Sequence, residues 1–204
     1  MGEITLWGTK LSGHAHRVEL LLRALGLDYA FVDAPRPVRT GEAFRALNPL
    51  GQIPVLRDGE LVLADSNAIL VYLAKRYDAG GTWLPEGAEE AAAVQRWLSV
   101  AAGEVANGPS LARSIRVWAW PQGADLAWAQ SVAERLLGFM DLHLQERAFL
   151  AASHPTIADL ACYSYVAAAP EGGVALAPYA AVRAWLGRVE ALPQFVPLPE
   201  AVHA

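Results

Sequence analysis

The apolar residues of this 204-residue chain change period once, and that change limits what it can fold into. Up to residue 78, short β-prone runs alternate with helical spacing. Ile4-Thr5-Leu6-Trp7 is β-prone and Leu11-Ser12-Gly13 reads as a turn. Val18, Leu21, Leu22 and Leu25 then fall at helical spacing over 14–25, with Gly26 as a C-cap. Tyr29-Ala30-Phe31-Val32 predicts a second strand, completing a strand–helix–strand unit with a right-handed crossover. A short helix or turn over 41–47 leads to a third strand at Ile53-Pro54-Val55-Leu56. A hairpin turn at Asp58-Gly59 and a fourth strand at Leu61-Val62-Leu63 follow. Ser66 is expected to cap a helix that reaches about Ala74. From residue 89 onward only long helical stretches remain: 89–116, 125–147, one opening at Pro155-Thr156, and 179–191. The turn-rich segment between them marks a linker. The expected organisation is a mixed α/β domain over 1–78, a linker over 79–88 and an all-helical domain over 89–204.

Composition narrows the function classes. With 54% hydrophobic and 18% charged residues the chain can bury a sizeable core. No apolar run approaches the ~20 residues that cross a bilayer. The start MGEITLWGTK lacks a basic segment, so it does not read as a secretory signal, and Leu6 breaks the myristoylation pattern. Cys162 is the single cysteine, which rules out an internal disulfide and a CxxC pair. These features suit the cytoplasm. The net charge of −5 argues against nucleic acid or an anionic membrane as main partners. His14-x-His16 does not align two ligands on one helix face, so no metal site is expected. The glycine pairs at 80–81 and 172–173 lack the Lys-Ser/Thr of a phosphate loop.

Three segments carry punctuation that a plain core does not require. Pro54 cannot donate to a sheet ladder. It is either a trans residue protecting an edge or a cis residue that turns the N–H and C=O of Ile53 toward an extended ligand. Asp65-Ser66 precedes a helix; Ser66 is either an ordinary cap or, at the positive helix end, a seat for a carboxylate, with Asp65 beside an ammonium. Ser12 in Leu11-Ser12-Gly13-His14-Ala15-His16-Arg17-Val18 is either a cap or a hydroxyl able to donate to a thiolate.

In this order, and followed by a helical half, the three segments resemble the cytosolic glutathione transferases. The resemblance extends over essentially the whole chain. It is most specific in Asn48-Pro49-Leu50-Gly51-Gln52-Ile53-Pro54-Val55-Leu56, in Asp65-Ser66-Asn67-Ala68-Ile69 and in Tyr72-Leu73. It implies a thioredoxin-like first domain with a cis Pro54. It implies that Ile53 pairs its backbone with the cysteinyl part of glutathione, that Asp65 and Ser66 hold the γ-glutamyl end, and that Gln52 lies near the same tripeptide. Thr156-Ile157-Ala158-Asp159 is a capping box similar to the one that opens a buried helix in that family. Its role is structural, with a cap contribution of ~1 kcal/mol or more. Cys162 follows as a buried apolar residue.

The subgroup features are mixed. Ser12 followed by Arg17-Val18 resembles the serine pattern of the phi-type and theta-type enzymes, with His14 as the rival thiol activator. Trp7 stands where a tyrosine activator would. Trp97-Leu98-Ser99…Glu104-Val105 resembles the beta-type helix that touches glutathione on the other subunit, which makes Glu104 a candidate contact; a solvated helix face is the other reading. The resemblance implies conjugation of glutathione, as co-substrate, to a small hydrophobic electrophile. A homodimer is implied as well. The electrophile pocket is expected between the domains, from residues 105–120 and Tyr165. Arg113 and Arg116 would either orient an anionic substrate there or be solvated. Trp118 and Trp120 are pocket walls or packing residues. A non-catalytic glutathione-binding relative, or a glutathione-dependent peroxidase or isomerase, are the alternatives.

Overall fold

The computed structural model describes residues 3–201. Strand β1 (Ile4–Gly8) buries Ile4, Leu6 and Gly8 on one face, as period-two alternation dictates. Helix α1 (Gly13–Ala24) follows and ends against Gly26, whose φ of 65° is the left-handed conformation a helix stop requires. Strand β2 (Tyr29–Asp33) lies parallel to β1. Two short helices, α2 (Arg36–Arg39) and α3 (Glu42–Leu47), lead to the antiparallel pair β3 (Val55–Asp58) and β4 (Leu61–Ala64). The sheet order is β2-β1-β3-β4, with β3 antiparallel to β1. Helix α4 (Ser66–Tyr77) closes this half.

The remaining elements are helices: α5 (Ala88–Val100), α6 (Leu111–Trp118), α7 (Leu126–Leu144), α8 (Ile157–Ala167) and α9 (Ala180–Glu190). Helix α8 is buried along almost its entire length and packs against α1 and α4. One apolar cluster therefore runs from Leu6, Leu21 and Ile69 through Trp97 and Leu137 to Ile157 and Trp185. At about 25 cal/mol per Å² of apolar surface, this shared core is the main attraction between the sheet half and the helical half.

Four expectations need correction in detail. The third strand starts at Val55, because Ile53 and Pro54 stand outside the ladder. The helix predicted to end near Ala74 continues to Tyr77. Ser66 is its first residue rather than its cap: Asp65 is the N-cap, its carboxylate accepting from the Ala68 N–H at 2.9 Å. The aspartate caps because its Oδ1 reaches a first-turn donor and its charge meets the positive helix end. The stretch 89–116 is not one regular α-helix. Residues Ala101–Ser110 wind wider, as a π-helical segment that contains Pro109, whose missing N–H and ring a tight α-turn does not tolerate.

Candidate functional site

The sheet register gathers the three punctuated segments at one end. Trp7 pairs with Val55, and Val55 with Ala64. The chain leaving β1, the chain entering β3 and the chain leaving β4 must therefore meet there. They carry Ser12, Ile53-Pro54 and Asp65-Ser66 respectively.

Ser12 is the N-cap of α1, its Oγ accepting from the Ala15 N–H at 3.3 Å. The loop is fixed by the Ser12 N–H to the Thr9 carbonyl at 3.0 Å. It is also fixed from the helical half, where Arg113 Nη1 donates to the Leu11 carbonyl at 2.7 Å. Gly13 is required by close packing: a Cβ there would meet the Tyr165 ring at 2.8 Å. His14 stands edge-on to the same ring, 5.0 Å between centroids. Its Nδ1 lies 3.3 Å from Ser66 Oγ, which ties the amino ends of α1 and α4 together. Burial, reinforced by the Arg17 charge, lowers the His14 imidazole to about 3, so the ring is neutral at physiological pH. His16 faces away: its Nε2 donates to the Val196 carbonyl at 2.8 Å and its Nδ1 accepts from the Ser164 hydroxyl at 2.9 Å.

The run before β3 is braced by one side chain. Asn48 is buried; its amide donates to the Gln52 carbonyl at 2.8 Å, and its Oδ1 accepts from the Leu50 N–H at 3.1 Å. Gly51 takes φ 64° and passes over Arg39, whose carbonyl lies 3.1 Å from the position of a Cβ. The Ile53–Pro54 peptide is cis. The N–H and C=O of Ile53 make no hydrogen bond to another described residue, and Gln52 is exposed. This explains the Asn-Pro-Leu-Gly punctuation, because the loop must present backbone rather than bury it.

Asp65 adopts φ 76°, a positive backbone angle that non-glycine residues seldom take. Ser66 is buried and receives Arg17 Nη1 at 3.3 Å. Beside it a concavity of about 420 Å³ opens between α4 and α5, with Asp65, Asn67, Ala68, Leu98 and Ser99 in its walls. A larger concavity of about 610 Å³ lies at the opposite end of the sheet, around Ile4, Gly26 and Tyr77, and holds none of the candidate residues.

The other candidates are placed as follows. Arg113 is buried and paired with Glu171 at 3.0 Å, so its guanidinium is committed to that carboxylate and to the Ser12 loop. Arg116 and Glu104 are exposed. Trp118, 46% exposed, lies against the Arg113 guanidinium at 4.9 Å. Cys162 is fully enclosed, and burial pushes its thiol up to about 12, which keeps it protonated. Sequence reasoning missed Asn48 as a brace, and it missed the burial of Arg17. The Asn-Pro pair was a readable signal for the first; nothing local marks the second.

The family profile described as "Glutathione S-transferase, N-terminal domain" matches residues 11–76, the span that contains all three converging segments. The chain is 34% identical to glutathione S-transferase 3 of Zea mays, over 98% of its own length and 97% of that protein's. The chain belongs to the glutathione S-transferase family. The crystal structure of glutathione S-transferase from Pseudomonas fluorescens Pf-5 is similar throughout: TM-score 0.89, 30% identity, 97% of this chain and 99% of that one. The theta class enzyme of Xanthomonas axonopodis pv. citri, solved with glutathione bound, matches with TM-score 0.82 and 27% identity over 95% of each chain. The fold is thus that of the family, a thioredoxin-like α/β part followed by an all-helical part.

Proposed function

We propose that the protein is a glutathione transferase that binds the tripeptide across the end of the sheet and activates its thiol for attack on a small, hydrophobic electrophile. The observation that carries this reading is the unpaired backbone of Ile53 at the mouth of the site, flanked by two helix amino ends at Ser12 and Ser66. An extended cysteinyl residue pairs with Ile53 as an added strand. The γ-glutamyl carboxylate meets the N–H groups of α4, its ammonium meets Asp65, and Gln52 borders the tripeptide. Ser12 then lies at the sulfur and donates its hydroxyl to the thiolate. A charge-assisted hydrogen bond of this kind contributes about 1.5–3 kcal/mol, enough to lower a thiol pKa by one to two units. His14, neutral and engaged with Ser66, is the second group near that sulfur.

Residues 1–78 act as the glutathione-binding domain, 79–88 as linker and 89–204 as the helical domain. The electrophile lies between them, among residues 105–120 and Tyr165, with Arg116 at its solvent side, and Glu104 is a contact to glutathione bound by the other subunit. Family membership supports a cytoplasmic homodimer; among the described residues no helix is long and apolar enough to cross a membrane. The test is conjugation of a chloronitrobenzene by the native protein and by Ser12→Ala. A drop in kcat/KM of tenfold or more, with glutathione still raising the melting temperature, is expected. Equal activity in both proteins would remove Ser12 from the mechanism; no activity in either, with glutathione still stabilising the fold, would favour a binding relative.

A further inference from the structure

Arg17 occupies the second turn of α1 and is 1% exposed. Among the described residues it has no ion-pair partner. Its Nη1 donates to two neutral oxygens, Ser66 Oγ at 3.3 Å and Asn67 Oδ1 at 3.1 Å. Its Nε and Nη2 have no hydrogen-bond partner. The Tyr165 ring lies beneath it, 5.9 Å from the guanidinium carbon. The Asp65 charge acts on it through space, but that carboxylate is exposed and forms no ion pair with it, so burial is the larger effect; the imbalance is relieved further when an anion docks close by.

The geometry says where such an anion would lie. Among the described residues the N–H groups of Ser66 and Asn67, the first of α4, have no acceptor; the Asp65 side chain serves Ala68 and its backbone carbonyl serves Ile69. Arginine can only donate, so Arg17 fills a lone pair of Ser66 Oγ and leaves the hydroxyl proton free to point elsewhere. In the unliganded protein that proton has His14 Nδ1 within reach, at 3.3 Å. A carboxylate above Ser66 is the stronger acceptor. It would collect the hydroxyl proton and two N–H groups directly over the buried charge.

We propose that Arg17 is a positioning residue of the glutathione site: acting through Ser66, its buried charge holds the α-carboxylate of the γ-glutamyl end. This rests on the reading that the γ-glutamyl group docks at Asp65-Ser66. It adds a determinant invisible from the site's surface and assigns its selectivity to one carboxylate of the ligand.

The experiment is a ligand-and-mutant cycle by calorimetry. Native protein and Arg17→Met are each titrated with glutathione and with the analogue in which 4-aminobutyrate replaces the γ-glutamyl residue, so that only this carboxylate is missing. In the native protein the analogue should bind about tenfold or more weakly. In Arg17→Met the two ligands should bind alike, at the analogue's native level. The melting temperature of the unliganded variant should be unchanged or higher, since an unpaired buried charge has been removed. If Arg17→Met weakens both ligands equally, or leaves the native preference intact, the inference is wrong. If native protein binds neither ligand, the functional reading itself fails instead. Arg17→Gln, neutral but still hydrogen-bonding, supplies the same comparison should the methionine variant not fold.

Discussion

Asp159 offers the sharpest test of how the helical half is held together. Its side chain is fully buried and accepts four hydrogen bonds: Oδ1 from the Leu150 N–H at 2.9 Å and Trp185 Nε1 at 2.9 Å, Oδ2 from the Thr156 N–H at 2.9 Å and Thr156 Oγ1 at 3.2 Å. Asp159→Ala strands three donors that cannot turn away, namely two backbone N–H groups and one indole N–H. Each stranded donor costs about 1–3 kcal/mol, and a water entering the vacated space eases part of this, so the loss should be roughly 3–6 kcal/mol. For a chain of this size that is a fall in melting temperature of about 6–24 °C. Thermal and urea unfolding measure it directly. Asp159→Asn keeps the shape and one acceptor but turns an N–H toward that of Thr156, so its loss should be smaller. Because Asp159 touches no candidate site residue, the KM for glutathione in folded Asp159→Ala should stay within about twofold. A loss below about 1 kcal/mol, the value of an ordinary cap, would show that Trp185 and Leu150 find other acceptors and that the carboxylate is not the anchor inferred.

Three further predictions concern the site's supports. Arg113→Met should remove the tie to Leu11 and strand Glu171, lowering stability by about 2–4 kcal/mol and kcat more than the KM for glutathione; a double-mutant cycle with Glu171→Gln should show coupling, and additive losses would sever that link. Gly13→Ala places a Cβ 2.8 Å from the Tyr165 ring and should destabilise by about 1–3 kcal/mol; Tyr165→Leu in the same chain should recover part of it, and an unchanged melting temperature would disprove the clash. Acid should destabilise the protein from about pH 6.5 downward. The His14 pKa is lowered to about 3 in the fold, so between 6.5 and 3 the unfolded chain binds a proton that the folded one does not, and stability is lost as pH falls. His16, likewise lowered by burial, adds to the same slope. His14→Gln should flatten the melting-temperature profile over this window, and an unaltered profile would refute the assignment.

What the sequence revealed, and what it concealed, follows the range of the interactions. Local signals carried far: the period-two strands, the Gly26 stop, the Asp58-Gly59 hairpin and the Thr156–Asp159 capping box are written within a few residues of where they act. The convergence of Ser12, Ile53 and Ser66 was legible only through the family resemblance, since register across three strands has no local mark. Asp65 and Ser66 were both picked out, but which one caps depends on a left-handed φ that a serine-first reading does not anticipate. Two arginines show the limit best. Arg17 and Arg113 look like ordinary helix charges, yet both are buried by partners about 50 and about 60 to 100 positions away in the chain. The widened turns over 101–110 were hidden for a similar reason: Pro109 announces a break, whereas the close approach of Gly108 to the Ala133 backbone, which holds the widened segment against α7, is a tertiary fact.

A crystal structure of the native protein grown with reduced glutathione addresses the central claim most directly. The tripeptide should lie at the end of the sheet, its cysteinyl N–H and C=O paired with Ile53, its γ-glutamyl carboxylate on the N–H groups of Ser66 and Asn67, and its sulfur within hydrogen-bond reach of Ser12. Glutathione found elsewhere, such as the concavity around Ile4, Gly26 and Tyr77, or bound with its sulfur turned away from Ser12, would contradict it.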